Sequence, residues 1–106
     1  MNGLNQASSN DAAWDDDALL IDVRSPGEYA AGHVEGAINL PLDRFVQNYE
    51  SVAPDKSRQL VLYCQSGARS GQAVPFLAQQ GYRKVVNGIS AGTVALRTGR
   101  SIRRDV

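Results

Sequence analysis

The chain has 106 residues, 42% of them hydrophobic, equal numbers of acidic and basic side chains, and one cysteine, Cys64. That length suits one domain with a single core, and no apolar run approaches the roughly 20 residues of a membrane-spanning helix. A lone cysteine closes no internal disulfide, His33 is the only histidine, and no basic face with interleaved aromatics marks a nucleic-acid binder, so metal, cofactor, membrane and nucleic acid are all unexpected.

Residues 1–13 are polar and rich in Asn and Ser, which predicts a flexible N-terminal arm before a domain over 14–106. Met1 to Asp17 lacks the basic and hydrophobic blocks of a signal peptide. A cytoplasmic location is therefore expected, with a periplasmic one standing only if an export signal has been removed. Ala18 to Val23 is a compact apolar run suited to a buried parallel strand. Ser25 and Pro26 then read as an N-cap and first helical position, opening a short helix that carries Glu28 and Tyr29 and stops at Gly32. Ala37 to Leu40 predicts a brief strand ended by Pro41, and Asp43 to Ser51 has helical spacing at Phe45, Val46 and Tyr49.

Pro54 and Asp55 turn the chain into a second buried strand, Leu60 to Tyr63. After it comes the polar stretch Cys64, Gln65, Ser66, Gly67, Ala68, Arg69, Ser70. From there Ala73, Val74, Phe76 and Leu77 have helical spacing up to Gly81, with Pro75 expected to bend or loosen the helix. Val85 and Val86 give a last strand before Asn87 and Gly88. Strands and helices thus alternate, which predicts an α/β fold: a mostly parallel sheet of four to five strands with helices on both faces.

Cys64 therefore stands where a strand end feeds a helix N-terminus, the place where α/β proteins bind anions. A buried filler cysteine needs no glycine, two hydroxyl residues and arginine within six positions, whereas a thiolate does. Charge points the same way. Residues 1–55 hold ten acids against Arg24 and Arg44, while 56–106 hold nine bases against Asp105 alone. The segment around Cys64 offers no local negative charge to an anionic substrate.

Two motifs together, Asp22, Val23, Arg24 with Glu28, Tyr29, Gly32, His33, Gly36, Ala37, Asn39 and Pro41, then the Cys64 loop with Gly81, Tyr82 and Asn87, resemble the rhodanese family. The likeness runs from about Leu19 to Gly88 and is nearest the single-domain thiosulfate sulfurtransferases of the phage-shock type. The resemblance implies a rhodanese-like fold and an enzyme that takes sulfane sulfur from thiosulfate onto Cys64 as a persulfide, then passes it to cyanide or a thiol. It also leaves open a persulfide carrier or interaction domain serving a dedicated sulfur-accepting protein. Relatives acting on phosphate or arsenate carry five residues between cysteine and arginine. Here four separate Cys64 from Arg69, which makes phosphatase chemistry the lesser alternative.

Within that frame Cys64 is the catalytic residue, and Gln65, Ser66, Gly67, Ala68, Arg69 and Ser70 form the substrate cradle. Arg69 binds the sulfonate end of thiosulfate or pins the loop. Asp22, Arg24, Glu28 and His33 support the site structurally: a buried Asp22 accepting loop amides or an Arg24 to Glu28 ion pair, and His33 as a hydrogen-bonding brace. Where the family commonly has a Gly-Gly pair and a tryptophan, this chain has Gly88, Ile89, Ser90, Ala91 and Gly92, so a short or shifted last helix is expected. Arg97, Arg100, Arg103 and Arg104 then form a basic tail expected to remain solvated.

Lowering a thiol pKa from about 8.5 to about 6.5 raises its thiolate fraction at pH 7 about 25-fold. Nucleophilicity falls with pKa, which removes about 6- to 10-fold of that gain. Attack gains little. The larger benefit falls on the second half-reaction, where Cys64 is the leaving group and a low-pKa thiol departs faster.

Overall fold

The computed structural model describes residues 13–105, so the expected arm at 1–13 lies, except for Ala13, outside the described residues. In chain order the elements are β1 (Leu19–Asp22), α1 (Pro26–Ala31), β2 (His33–Val34), β3 (Ile38–Asn39), a 3-10 turn (Leu42–Arg44), α2 (Phe45–Val52), β4 (Leu60–Cys64), α3 (Ala68–Gln79), β5 (Val85–Ser90), α4 (Ala91–Thr98) and β6 (Ile102–Arg103). Four strands form a parallel sheet in the order β3-β1-β4-β5, and β2 pairs antiparallel with β6 beside it. No helix among the described residues is long and apolar enough to cross a membrane.

The two central strands are buried along their whole length because each faces a core on both sides. Successive side chains on a strand point to opposite faces, so Leu19, Ile21, Leu60, Leu62 and Cys64 share one core with Phe45 of α2 and Ala73 and Leu77 of α3. Leu20, Val61 and Tyr63 share the other with Val34 and Val94 of α4. Helices therefore cover both faces, and the parity of Cys64 puts it on the α2 and α3 side.

Local chemistry sets the helix ends. Ser25 Oγ accepts the Glu28 amide and Glu28 Oε1 accepts the Ser25 amide, a reciprocal cap with Pro26 in the first turn. Helix α3 runs from Ala68 to Gln79 with Pro75 inside it; Gly71 and Pro75 are both exposed, so water can serve the Gly71 carbonyl that the proline cannot.

The last helix is eight residues long, and the basic tail is not simply solvated. Residues Ile102 and Arg103 pair with Val34 and His33, and the Arg100 guanidinium donates to the Glu35 carbonyl at 3.0 Å. Gly88 is fixed by packing: a Cβ there would lie 2.6 Å from Val94 Cγ2 and 2.9 Å from Val61 Cγ1. Gly88→Ala is expected to destabilise the fold by about 1–3 kcal/mol, read as a lowered denaturation midpoint with unchanged slope.

Candidate active site

The sheet delivers Cys64 to its carboxyl edge, and the next three residues turn the chain back as α3. Gly67 makes that turn at φ +93°, a conformation costly for residues with a side chain, and so serves as an N-cap without any capping oxygen. The vacant role falls to sulfur. Cys64 Sγ accepts the Gly67 amide at 3.0 Å and the Ser70 amide, at the third helical position, at 3.5 Å, and the Ser70 hydroxyl lies 3.4 Å away. Helix-terminal amides that a serine or aspartate would otherwise satisfy are thus turned on the thiol.

Cys64 is 1% exposed and Ser70 fully buried. Burial pushes the thiol up, but hydrogen bonds from the Ser70 hydroxyl and from the Ser70, Ser66 and Gly67 amides outweigh it and bring the pKa from 9.0 down to about 7. Half the population is then thiolate near neutrality. Of the six loop residues singled out in the sequence, Ser66, Gly67 and Ser70 supply donors to sulfur. Gln65, Ala68 and Arg69 make the rest of the turn, with Arg69 facing elsewhere.

The supporting residues pair differently from expectation. Asp22 is fully buried, yet it accepts the Arg24 amide at 2.9 Å and the Arg24 guanidinium at 2.6 to 3.1 Å, not amides of the Cys64 loop. Nor does Arg24 pair with Glu28: its guanidinium is held by Asp22 and donates to the Gly32 carbonyl at 2.6 Å, bracing β1 against the end of α1. Glu28 instead grips Arg69 through two hydrogen bonds of 2.8 and 3.0 Å, across 41 positions of sequence. That pair and the Ser25 amide hold the Glu28 carboxyl at a pKa of about 2, so it stays ionised at any working pH. His33 is a brace, but of α1: its Nδ1 lies 2.8 Å from the Tyr29 carbonyl oxygen and its ring stacks on Tyr29 at 3.7 Å.

Asn87 on β5 is given no site role by the sequence, although it ties two of the three loop residues that donate to sulfur. Its Oδ1 lies 2.7 Å from the Ser70 hydroxyl, whose single proton is shared between this oxygen and sulfur, and accepts the Ile89 amide at 3.0 Å, while its Nδ2 donates to the Gly67 carbonyl at 3.0 Å. In the sequence Asn87 stands among the residues that carry the family resemblance and opens an Asn-Gly pair after an apolar strand, which reads as a turn, and neither signal gives it a role at sulfur. A cleft of about 390 Å³ opens beside the loop, lined by Val23, Ser25, Pro41, Leu42, Asp43 and Arg69. Arg69 thus shows one side to Glu28 and another to the cleft.

Residues 5–93 match the family model described as a rhodanese-like domain. The chain is 41% identical over 80 residues to a sulfurtransferase of Allochromatium vinosum, covering 76% of this chain and 72% of that one. It is 40% identical over 76 residues to the thiosulfate sulfurtransferase PspE of Escherichia coli, covering 72% and 73%. Similarity also extends to a tRNA uridine(34) hydroxylase of E. coli, at 36% identity over 76% of this chain but only 24% of that protein. Among solved structures, a rhodanese with anions from E. coli superposes with a TM-score of 0.73 at 34% identity, over 82% of this chain and 98% of that one.

Proposed function

The chain belongs to the rhodanese family of sulfurtransferases, and from that premise we propose that it is a thiosulfate sulfurtransferase carrying sulfur as a persulfide on Cys64. The observation that carries this reading is a thiol at the N-terminus of α3 inside a ring of amide and hydroxyl donors, with its pKa brought to about 7. In the first step the Cys64 thiolate attacks the outer sulfur of thiosulfate. A sulfur–sulfur bond forms to Sγ, and the old bond breaks with its electron pair leaving on sulfite. In the second step cyanide or a thiolate attacks the outer sulfur of the persulfide, and Cys64 Sγ departs with the bonding pair. No external oxidant or reductant enters.

The donors at Sγ favour the departing thiolate in that second step as they favour the free one. Four residues between Cys64 and Arg69 hold the amides close around a single sulfur atom, which favours this chemistry over phosphate transfer. Mass spectrometry after thiosulfate treatment should show one added sulfur on Cys64, removable by cyanide. An unmodified chain would overturn the proposal. Turnover with small acceptors then separates an enzyme from a carrier reserved for a protein partner.

Formation of the persulfide should follow thiolate, rising with pH and levelling above a midpoint near 7 in stopped-flow measurements. Arg69 is assigned the sulfonate end of thiosulfate, reached from the cleft. Arg69→Ala should raise the thiosulfate KM about tenfold with a smaller change in kcat, the loss expected of one charge-assisted contact. Glu28→Gln keeps an acceptor for the Ser25 amide but removes the competing negative charge, and should lower that KM. A KM unchanged in both variants would leave Arg69 only the loop-pinning role.

A further inference from the structure

One backbone feature beside Cys64 has no role in the steps above. Ile89 sits at φ +76°, the only non-glycine residue at positive φ among the described residues. A β-branched side chain is the least suited to that conformation, and glycine or asparagine would adopt it freely. Strain of this kind persists only where the surrounding structure holds it in place, and it clusters at active sites and ligand clamps.

The bulge between Leu62 and Tyr63 places Ile89 opposite Tyr63, the residue before Cys64, while the Val23 amide bonds the Tyr63 carbonyl from the other side. Ile89 and Val23 therefore flank β4 where it enters the Cys64 loop. The Ile89 side chain lies over Gly67, with its Cδ1 3.1 Å and Cγ2 3.4 Å from where a Gly67 Cβ would be. It is nevertheless 43% exposed. On the Val23 side of β4 the cleft that Arg69 lines offers the carbon surfaces of Pro41 and Leu42.

We propose that Ile89 is a specificity-determining lip, selecting as sulfur acceptors small thiols with an apolar body over polar ones of similar basicity. This rests on the persulfide reading above. The acceptor thiolate would attack the outer sulfur while its carbon body lies against Ile89, and removal of that surface from water favours apolar acceptors.

The test compares phenylmethanethiol with 2-mercaptoethanol in single-turnover discharge of the thiosulfate-loaded protein. Ile89→Asn accepts the same backbone conformation without the apolar surface, and should lower the ratio of the two rate constants about tenfold, the worth of one or two methylene contacts. Ile89→Leu should keep the ratio. The midpoint of thiolate formation, read by ultraviolet absorbance, should not move in either variant. A ratio unchanged in Ile89→Asn, with only a higher melting temperature, would show that Ile89 merely fills space and overturn the lip. A moved thiolate midpoint would do the same by making Ile89 part of the cradle.

If Cys64 takes no sulfur, the sulfurtransferase reading fails separately. The lip is then judged by alkylation of Cys64, where the rate of N-phenylmaleimide relative to maleimide should fall in Ile89→Asn by the same factor, and an unchanged ratio rejects it.

Discussion

Cys64→Ser is expected to abolish sulfur transfer, lowering turnover on the order of 10³-fold or more and leaving no persulfide visible by mass spectrometry. The serine hydroxyl would occupy the same ring of donors, but its proton is too tightly held for an alkoxide to form near neutrality, and oxygen does not carry sulfane sulfur. Because serine is close in size and still accepts the Gly67 and Ser70 amides, the fold should survive. The two proteins should therefore be equally stable at pH 6, where the wild-type thiol is protonated, and diverge above it.

The sign follows from the shift. The folded pKa of about 7 lies below the ordinary 9.0, so the thiolate contributes stability that is complete above pH 9 and is lost as pH falls through 7. A shift of two units corresponds to roughly 2–3 kcal/mol at alkaline pH. Denaturation at pH 6 and pH 9.5 should show wild type gaining that margin over Cys64→Ser. Equal stability at both would mean that the donors do not favour the thiolate.

Asn87→Asp is expected to raise the Cys64 pKa from about 7 to about 9. Three effects act in one direction. A carboxylate within about 6 Å of Sγ costs the thiolate about 2.8 kcal/mol at an effective dielectric of 20, or two pKa units. It also competes for the single Ser70 hydroxyl proton more strongly than the neutral amide oxygen does, and it loses the donor that fixes the Gly67 carbonyl. At pH 6 the thiolate population then falls about 100-fold, while the more basic thiolate attacks about 6- to 10-fold faster, leaving persulfide formation about tenfold slower.

Discharge should slow as well, since Cys64 becomes a poorer leaving group. Above pH 9 the formation rate should recover to wild type or beyond. A defect that persists at high pH would indicate a collapsed loop, and an unmoved midpoint would remove Asn87 from the cradle.

Much of this site was legible in the chain itself. Two buried strands were readable because each is a short continuous apolar run closed by turn residues. The cap of α1 was readable because Ser25, Pro26 and Glu28 stand at the spacing that bonds backbone amides locally. The Cys64 loop was readable for the same reason: strand end, glycine and helix start lie within seven residues.

The ion pairs were not. Proximity in sequence pointed to Arg24 and Glu28 as partners, yet Asp22 lies nearer to Arg24, buried at the end of the same strand, and takes the whole guanidinium fork. Glu28, projecting from α1, is thereby left to meet Arg69 at the start of α3. The tail likewise read as solvated because a two-residue strand such as β6 has no pattern of its own. It exists only through its pairing with His33 and Val34.

Sequence alone thus determined the alternating architecture, the place of Cys64 and the donors nearest it, all set by contacts within a helical turn or a strand's length. Tertiary structure alone decided what restrains those donors and what borders the sulfur. Asn87 reaches Gly67 and Ser70 across 17 to 20 positions, and Ile89 is forced over the loop by a bulge in β5. Such contacts depend on which strands become neighbours, and local propensity carries no record of that choice.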